Sequence, residues 1–213
     1  VVQQRSQATI AAVLGAAHEL FGSAGFAGVG IDDVARACGR TKGAIYHHFA
    51  TKEALFEEVF RLEQRRIADL VAAAADGDVA TGFADGVAAY FDEIATNPGA
   101  ARITLLDAPT VLGFERWRRC DDGPFRAMVA GALAALARSG RLDAGDADLE
   151  ALTDAVLGAI TESALVVATS PDPRALGEPR ARACNVLVRG LLRRRQSGDQ
   201  TRASRSGSAS RTS

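Results

Sequence analysis

Apolar residues recur along this chain at three- and four-residue steps, the spacing that gathers them on one face of an α-helix. Ile10, Val13, Leu14, Ala17, Leu20 and Phe21 form the first stripe, which Gly22, Ser23, Ala24 and Gly25 should stop. A short second helix holds Ile31, Val34, Ala35 and Cys38, with Asp32 and Asp33 in its first turn, where the helix dipole favours acids. Gly39 ends it, as glycine does at a left-handed C-terminal position. Thr41 is placed to cap a third short helix with Ile45, Tyr46 and Phe49. Thr51 is placed to cap a fourth, whose stripe runs Leu55, Phe56, Val59, Phe60, Ile67, Leu70 and Val71 before Asp76-Gly77-Asp78 breaks it. Phe83, Val87, Tyr90, Phe91 and Ile94 predict a fifth helix, closed by Asn97-Pro98. Residues 100–119 read as two short helices broken near Pro109 and Gly113, and Pro124 as the start of a helix carrying Phe125, Val129, Leu133 and Leu136. Two long helices follow, over 148–169 and 173–194, parted by Ser170-Pro171-Asp172-Pro173. No segment alternates apolar and polar residues long enough for a strand, so the expected fold class is all-α. From Gln196 the chain turns to Ser, Arg, Gly and Thr, which predicts a disordered tail over 196–213.

Composition narrows the function classes. Hydrophobic residues make up 47% and charged residues 24%, enough apolar material for a core. No unbroken apolar run reaches the ~18 residues of a membrane span, and Val1-Val2-Gln3-Gln4-Arg5 lacks the plan of a signal peptide. Cys38, Cys120 and Cys184 are odd in number and widely spaced, which speaks against a disulfide framework or structural zinc and fits a reducing cytoplasm. Cys38 reads as a small buried hydrophobe rather than a redox sensor, while Cys120, among Arg118, Arg119, Asp121 and Asp122, is placed to be exposed. A net charge of −1 argues against coating nucleic acid through bulk charge, yet leaves room for one local basic face.

The informative unit is the pair of short helices around Gly39, Arg40 and Thr41. Two helices joined by a brief turn with a glycine have the geometry that lets the second enter a DNA major groove. That second helix is too short to be stable alone and needs Ile45 and Phe49 packed behind it. Its outer face carries Thr41, Lys42, Gly43, Tyr46 and His47, a mix suited to phosphates and base edges. Adjacent helical residues point about 100° apart, so His47 and His48 do not make a metal site. No GxSxG, HExxH or phosphate loop suggests an enzyme, no cofactor is implied, and His18 reads as a satisfied or exposed mid-helix side chain.

The ordered string Ile10-Ala11-Ala12, Leu20-Phe21, Gly25-Phe26, Ile31-Asp32-Asp33-Val34-Ala35, Gly39-Arg40-Thr41-Lys42-Gly43-Ala44-Ile45-Tyr46-His47-His48-Phe49 and Lys52-Glu53-Ala54-Leu55-Phe56 resembles the tetracycline-repressor family. The resemblance covers the first 60 residues or so without a gap. It implies that Lys42 and Gly43 read bases, that Tyr46, His48 and Lys52 touch phosphates, and that Phe49 is core. Lys52, at a helix N-terminus, would bind a phosphate oxygen through both its charge and the helix end. Gly30 departs from the family's Thr or Ser, so a side-chain cap is missing. Arg40 departs from its small apolar turn residue, and points either to solvent or to a phosphate.

The resemblance further implies a DNA-binding domain over 6–66 and a ligand-binding and dimerisation domain over 67–195. Phe83, Tyr90, Phe91, Phe114, Trp117 and Phe125 fall in the region that forms an effector cavity in the family; taken singly, each is a core residue. Leu152, Ala155, Gly158 and Ala159, with Val186 and Leu191, give the last two helices more apolar and small residues than one internal face needs, as a two-fold interface would. The expected function is a repressor that binds a palindromic operator in double-stranded DNA as a homodimer. A small apolar or amphipathic effector would release it, and no membrane is involved. Two alternatives stay open: a regulator without an inducer or acting as activator, and a helical interaction protein that has lost DNA binding.

Overall fold

The computed structural model describes residues 2–142 and 148–192, apart from the side chains of 2–5 and 119–122. The expected tail from 196 and the Cys120 side chain lie outside the described residues. Within them the chain is helical throughout: α1 (Val2–Gly28), α2 (Ile31–Cys38), α3 (Lys42–His48), α4 (Lys52–Ala74), α5 (Val79–Thr96), α6 (Pro98–Ala101), a π-helical turn (Arg102–Asp107), α7 (Ala108–Leu112), α8 (Phe114–Arg138), α9 (Leu149–Ala168) and α10 (Pro173–Gly190).

The stop expected over 22–25 falls at Gly25, whose φ 77, ψ 162 is non-helical; a further helical turn follows it to Gly28, with the Asp107 carboxylate accepting from the Phe26 amide at 2.7 Å. Two other boundaries differ from the sequence reading. Pro109 does not break the chain; it lies in the first turn of α7, where its missing N–H costs nothing. The break is at Gly113 (φ 79), and α8 begins straight after it. Pro124 therefore lies inside α8 rather than at its start. Buried Trp117 on one side of it and Val129, Leu133 and Leu136 on the other hold the helix together through tertiary packing, against the proline's local penalty.

One continuous core joins the N-terminal helices to the body. Val13, Ala17 and Phe21 of α1 meet Ile31 and Val34 of α2, Ile45 of α3 and Leu55, Phe56, Val59 and Phe60 of α4, and the same cluster extends to Phe91, Ile103 and Ala164. Phe21, Phe26 and Phe56 pack with ring centroids 5.2–5.8 Å apart. Helix α4 runs unbroken through the expected boundary between residues 66 and 67. A second cluster, with Leu133, Leu136, Leu157 and Val188, holds α8, α9 and α10 together. Helix α10 lies tight against α5 at Gly177, where a Cβ would lie 2.8 Å from the Ala95 Cβ and 3.2 Å from the Phe91 carbonyl oxygen.

Two stretches, Ser6–Gly28 and Leu149–Ala168, are long and apolar enough by composition to cross a membrane, although polar residues interrupt both. Each spends that character on the interior only in part: α1 buries Val13, Ala17 and Phe21, and α9 buries Thr153, Val156, Leu157, Ala164 and Val167, while Ala151 and Ala155 are exposed.

Candidate nucleic-acid interface and internal cavity

Local chemistry builds the α2–α3 unit. Gly30 supplies no side-chain cap to α2, as its identity requires, but the Asp33 carboxylate accepts from the Gly30 amide at 2.9 Å. Gly39 sits in the left-handed region (φ 64), so the Arg40 amide can donate back to the Ala35 carbonyl at 3.0 Å and the chain turns. Thr41 Oγ1 accepts from the Ala44 amide at 3.2 Å and starts α3; Phe49, in extended geometry, ends it. Thr51 Oγ1 repeats the cap for α4, accepting from Ala54 at 3.1 Å.

Fully buried Ile45 anchors α3 from behind, with Phe49 buried beside it. The opposite face holds Thr41, Lys42, Gly43, Tyr46 and His47, all exposed, and Arg40 is exposed in the turn. His48 is half-buried and stacks edge-on against His47 at 5.0 Å. Lys52 is half-buried too, its ammonium 4.0 Å from the centroid of the Phe26 ring, a cation–π contact that fixes the side chain at the α4 N-terminus. Lys42 Nζ pairs with Asp32 at 3.0 Å. Nothing lies within 4 Å of a Cβ built at Gly43, so the chain's own packing does not demand glycine there. Cys38 is half-buried against the core and not fully enclosed as its stripe position suggested, because the helix ends at its own residue and leaves one side open.

Between α1, α4, α5 and α8 lie buried charged groups that sequence reading missed. Glu63 is buried and accepts from His18 Nε2 at 2.8 Å and from Arg66 at 2.7 Å; Arg66 also pairs with Glu93, which accepts from Asn97 Nδ2 at 2.7 Å. Burial pushes the Glu63 carboxyl up, but the hydrogen bonds from His18 and Arg66 and the Arg66 charge outweigh it and bring the carboxyl down to about 2. The hydrogen bond to Glu63 raises the His18 imidazole above its usual 6.5. Glu57, also buried, is held by Arg61 at 2.6 Å and by Arg116 from the first turn of α8, whose Nε donates at 3.1 Å. The available signal was register: Glu63 stands on the stripe Phe56, Phe60, Ile67 and Val71 where an apolar residue belongs.

The body encloses a cavity of about 330 Å³ between α4, α5, α8 and α9. Of the expected aromatics, Phe83, Tyr90 and Phe125 line it, with Tyr90 and Phe125 edge-to-face at 5.6 Å. The other three do not. Phe91 points into the main core and is fully buried. Trp117 is buried near the π-helical turn, donating from Nε1 to the Thr104 carbonyl at 3.0 Å, and Phe114 lies against it, 62% exposed. Gly113 starts α8 too far from the cavity for its first turn to reach in. Val71, Met128, Val129, Leu157, Ile160 and Thr161 also line it, with alanines, glycines and valines between them; Met128, the chain's one methionine, was the readable hint.

Of the residues expected at a subunit interface, Val186 is 66% exposed, Ala155 is exposed, and Gly158 and Ala159 are half-buried. Leu152 and Leu191 pack partly inward, against the second core cluster, because their helical register turns them toward α8. Leu187, next to Val186 on α10, is 61% exposed.

Comparison with known proteins matches residues 13–59 to the tetR family of bacterial regulatory proteins and residues 80–191 to the tetracyclin repressor-like C-terminal domain. The chain is 37% identical over 68 residues to the HTH-type transcriptional regulator AcrR of Shigella flexneri, covering 32% of each. It is 33% identical over 60 residues to the repressor AcnR of Corynebacterium jeikeium, covering 28% of this chain and 32% of that one. These matches span about a third of the relatives' own length. Among solved structures, a TetR-family transcriptional regulator from Pectobacterium atrosepticum superposes with a TM-score of 0.74 at 29% identity, over 89% of this chain and 96% of that one. FadR of Bacillus subtilis, solved in complex with stearoyl-CoA, shares the fold at 18% identity and TM-score 0.67, over 81% and 96%. These relatives are regulators and not enzymes. With one family match over more than half of the chain and another over the helix-turn-helix before it, the chain belongs to the tetR family of transcriptional regulators.

Proposed function

We propose that this protein is a cytoplasmic repressor that binds a palindromic operator as a homodimer and leaves it when a small molecule fills the cavity in the body. The reading rests on α3, whose back is anchored by buried Ile45 while Thr41, Lys42, Gly43, Tyr46 and His47 face outward. Gly43 adds support. It is the second residue of α3, and no described atom of the chain lies within 4 Å of a Cβ built there, so the glycine leaves room for a base or sugar to approach. Lys42 reads a base edge by leaving Asp32, while Tyr46, His48 and Lys52 grip phosphates.

One short helix offers few contacts, so two copies acting on half-sites about 34 Å apart are needed for specificity. The face made by Ala155 and Gly158 on α9 and Val186 and Leu187 on α10 is the proposed subunit interface. Release follows from shared elements. Helix α4 lines the cavity at Val71 and carries Lys52 at its other end; α8 lines it at Phe125 and Met128 and holds Glu57 of α4 through Arg116. An effector that fits only one arrangement of α4 and α8 shifts the spacing of the heads. FadR of Bacillus subtilis with its stearoyl-CoA supports the view that this architecture accommodates a ligand.

The decisive experiment is selection of bound fragments from a genomic DNA library by the purified protein, followed by affinity against salt. The expected result is an enriched palindrome, bound by two chains, whose affinity falls steeply with salt. Absence of salt-dependent DNA binding would favour the interaction protein that has lost DNA binding.

A further inference from the structure

We infer that the cavity selects an uncharged effector: a compact, ring-bearing apolar molecule with one or two hydrogen-bonding groups, to the exclusion of carboxylates, phosphates and sulfonates. The inference rests on the cavity's being the effector site and adds the chemical class of the occupant.

The wall is the first reason. Phe83, Tyr90 and Phe125 present ring faces and edges, Met128 a polarizable thioether, and the remainder is aliphatic or glycine. The hydroxyls of Tyr90 and Thr161 are the polar side-chain groups among the lining residues, and none of those residues is charged. Volume is the second reason. About 330 Å³ lies near the lower end of ligand sites, which run from about 300 to 1,000 Å³, so the occupant is compact.

The third reason is where the neighbouring charges go. An anion inside an apolar cavity needs a cation to offset its lost hydration. Arg126 follows Phe125 on α8, but it pairs with Asp154 and, at 3.5 Å, with Glu150 on the outer side of α9. Arg141 is held by both oxygens of Asp78, at 2.5 and 3.1 Å. On the solvent side, the exposed lining residues Gly77 and Val79 alternate with Asp76 and Asp78, so the nearby backbone turn carries acids. Asp76 accepts from the Gly77 amide at 2.8 Å, which fixes one of those carboxylates at the turn. The Asp78–Arg141 pair cancels itself, so an incoming anion meets the Asp76 carboxylate at this edge and no cation among the described lining residues.

Two fluorescent probes with a shared ring system separate the cases: neutral N-phenyl-1-naphthylamine and its anionic relative 8-anilinonaphthalene-1-sulfonate. Each is titrated into the full chain, into Ala132→Phe, which fills the cavity from α8, and into Thr161→Phe, which fills it from α9, with circular dichroism confirming helicity. The expected result is saturable binding of the neutral probe at one per chain, at least tenfold tighter than the sulfonate. At least one folded filled variant should weaken it tenfold or more. Equal binding of both probes, lost together in the filled variants, overturns the charge selection while leaving the cavity as the ligand site. Neutral-probe binding that no filled variant weakens places the probe elsewhere and overturns both readings.

Discussion

Glu63→Gln keeps the side chain's shape and some of its hydrogen bonding but removes the charge that His18 and Arg66 share. The Glu63 side chain is 2% exposed, and its carboxyl is brought from 4.5 to about 2. At about 1.36 kcal/mol per pH unit, that difference corresponds to about 3 kcal/mol of preferential stability for the ionised form. His18 and Arg66 are 41% and 43% exposed, so water screens the pairs, and the net contribution is about 1–2 kcal/mol. The two groups bound the pH window. Glu63 has a lowered folded-state value, so its contribution is complete above 4.5 and is lost as pH falls toward about 2. His18 has a raised one, so its contribution is complete below 6.5 and is lost as pH rises through the raised value. The network is therefore strongest between 4.5 and 6.5, and on the alkaline side it weakens only by the His18 share, since Arg66 stays charged. Urea unfolding of the parent protein, Glu63→Gln and His18→Gln, from about pH 5 to about pH 9, measures this. The gap between parent and Glu63→Gln should be about 1–2 kcal/mol near pH 5–6 and shrink as His18 loses its proton. A gap that is constant across that range, or an imidazole titrating at or below 6.5 by NMR, would refute the reasoning.

Tyr46→Ala and Lys52→Ala should weaken binding to all DNA sequences alike. The Lys52 change should also lower the slope of log affinity against log salt by about one; an unchanged slope removes Lys52 from the phosphate contacts. Lys42→Ala should instead alter which base is preferred in each half-site, read by binding to a panel of operator variants, and a uniform loss would reassign it to the backbone. Gly177→Ala should destabilise the fold by about 1–3 kcal/mol through overpacking against α5, visible in thermal melts; an unchanged midpoint would mean that α10 shifts freely.

The elements were legible where local rules and tertiary packing agree. Thr41, Thr51 and Gly39 do the capping and turning their identities suggest, and the stripe from Leu55 to Val71 is buried as its period requires. Pro124 misled because a proline's local penalty is outweighed when the helix packs on both sides of it. The exposed face of α3 follows from which residues Ile45 and Phe49 leave outside. The cavity was only half legible: periodicity says that Phe91 and Phe83 are buried, not which side of α5 meets a void. Register on a four-helix wall depends on crossing geometry, which no single stripe encodes. The ion pairs were hidden for the same reason, since His18 and Glu63 are 45 residues apart and meet only through the packing of α1 on α4.

Gly158 offers the test of the proposed assembly. A glycine in mid-helix costs about 0.8–1 kcal/mol relative to alanine, and nothing in the chain lies within 4 Å of a Cβ built there. A Cβ at 158 therefore meets no obstacle among the described residues of the subunit, and Gly158→Leu should leave the monomer folded. This separates it from Gly177, where the obstacle is internal. If the partner subunit's backbone approaches α9 at this point, leucine must push the subunits apart. Circular dichroism would then remain fully helical while sedimentation reports half the mass. Operator affinity should fall by about 10²–10⁴, because each half-site is held alone and the effective concentration supplied by linkage is lost. A folded Gly158→Leu protein that stays dimeric and keeps its operator affinity would move the interface off this part of α9. The remaining exposed apolar surface on α10, Val186 and Leu187, would then be the site to substitute, and a charge at either position should dissociate the subunits where leucine at 158 did not.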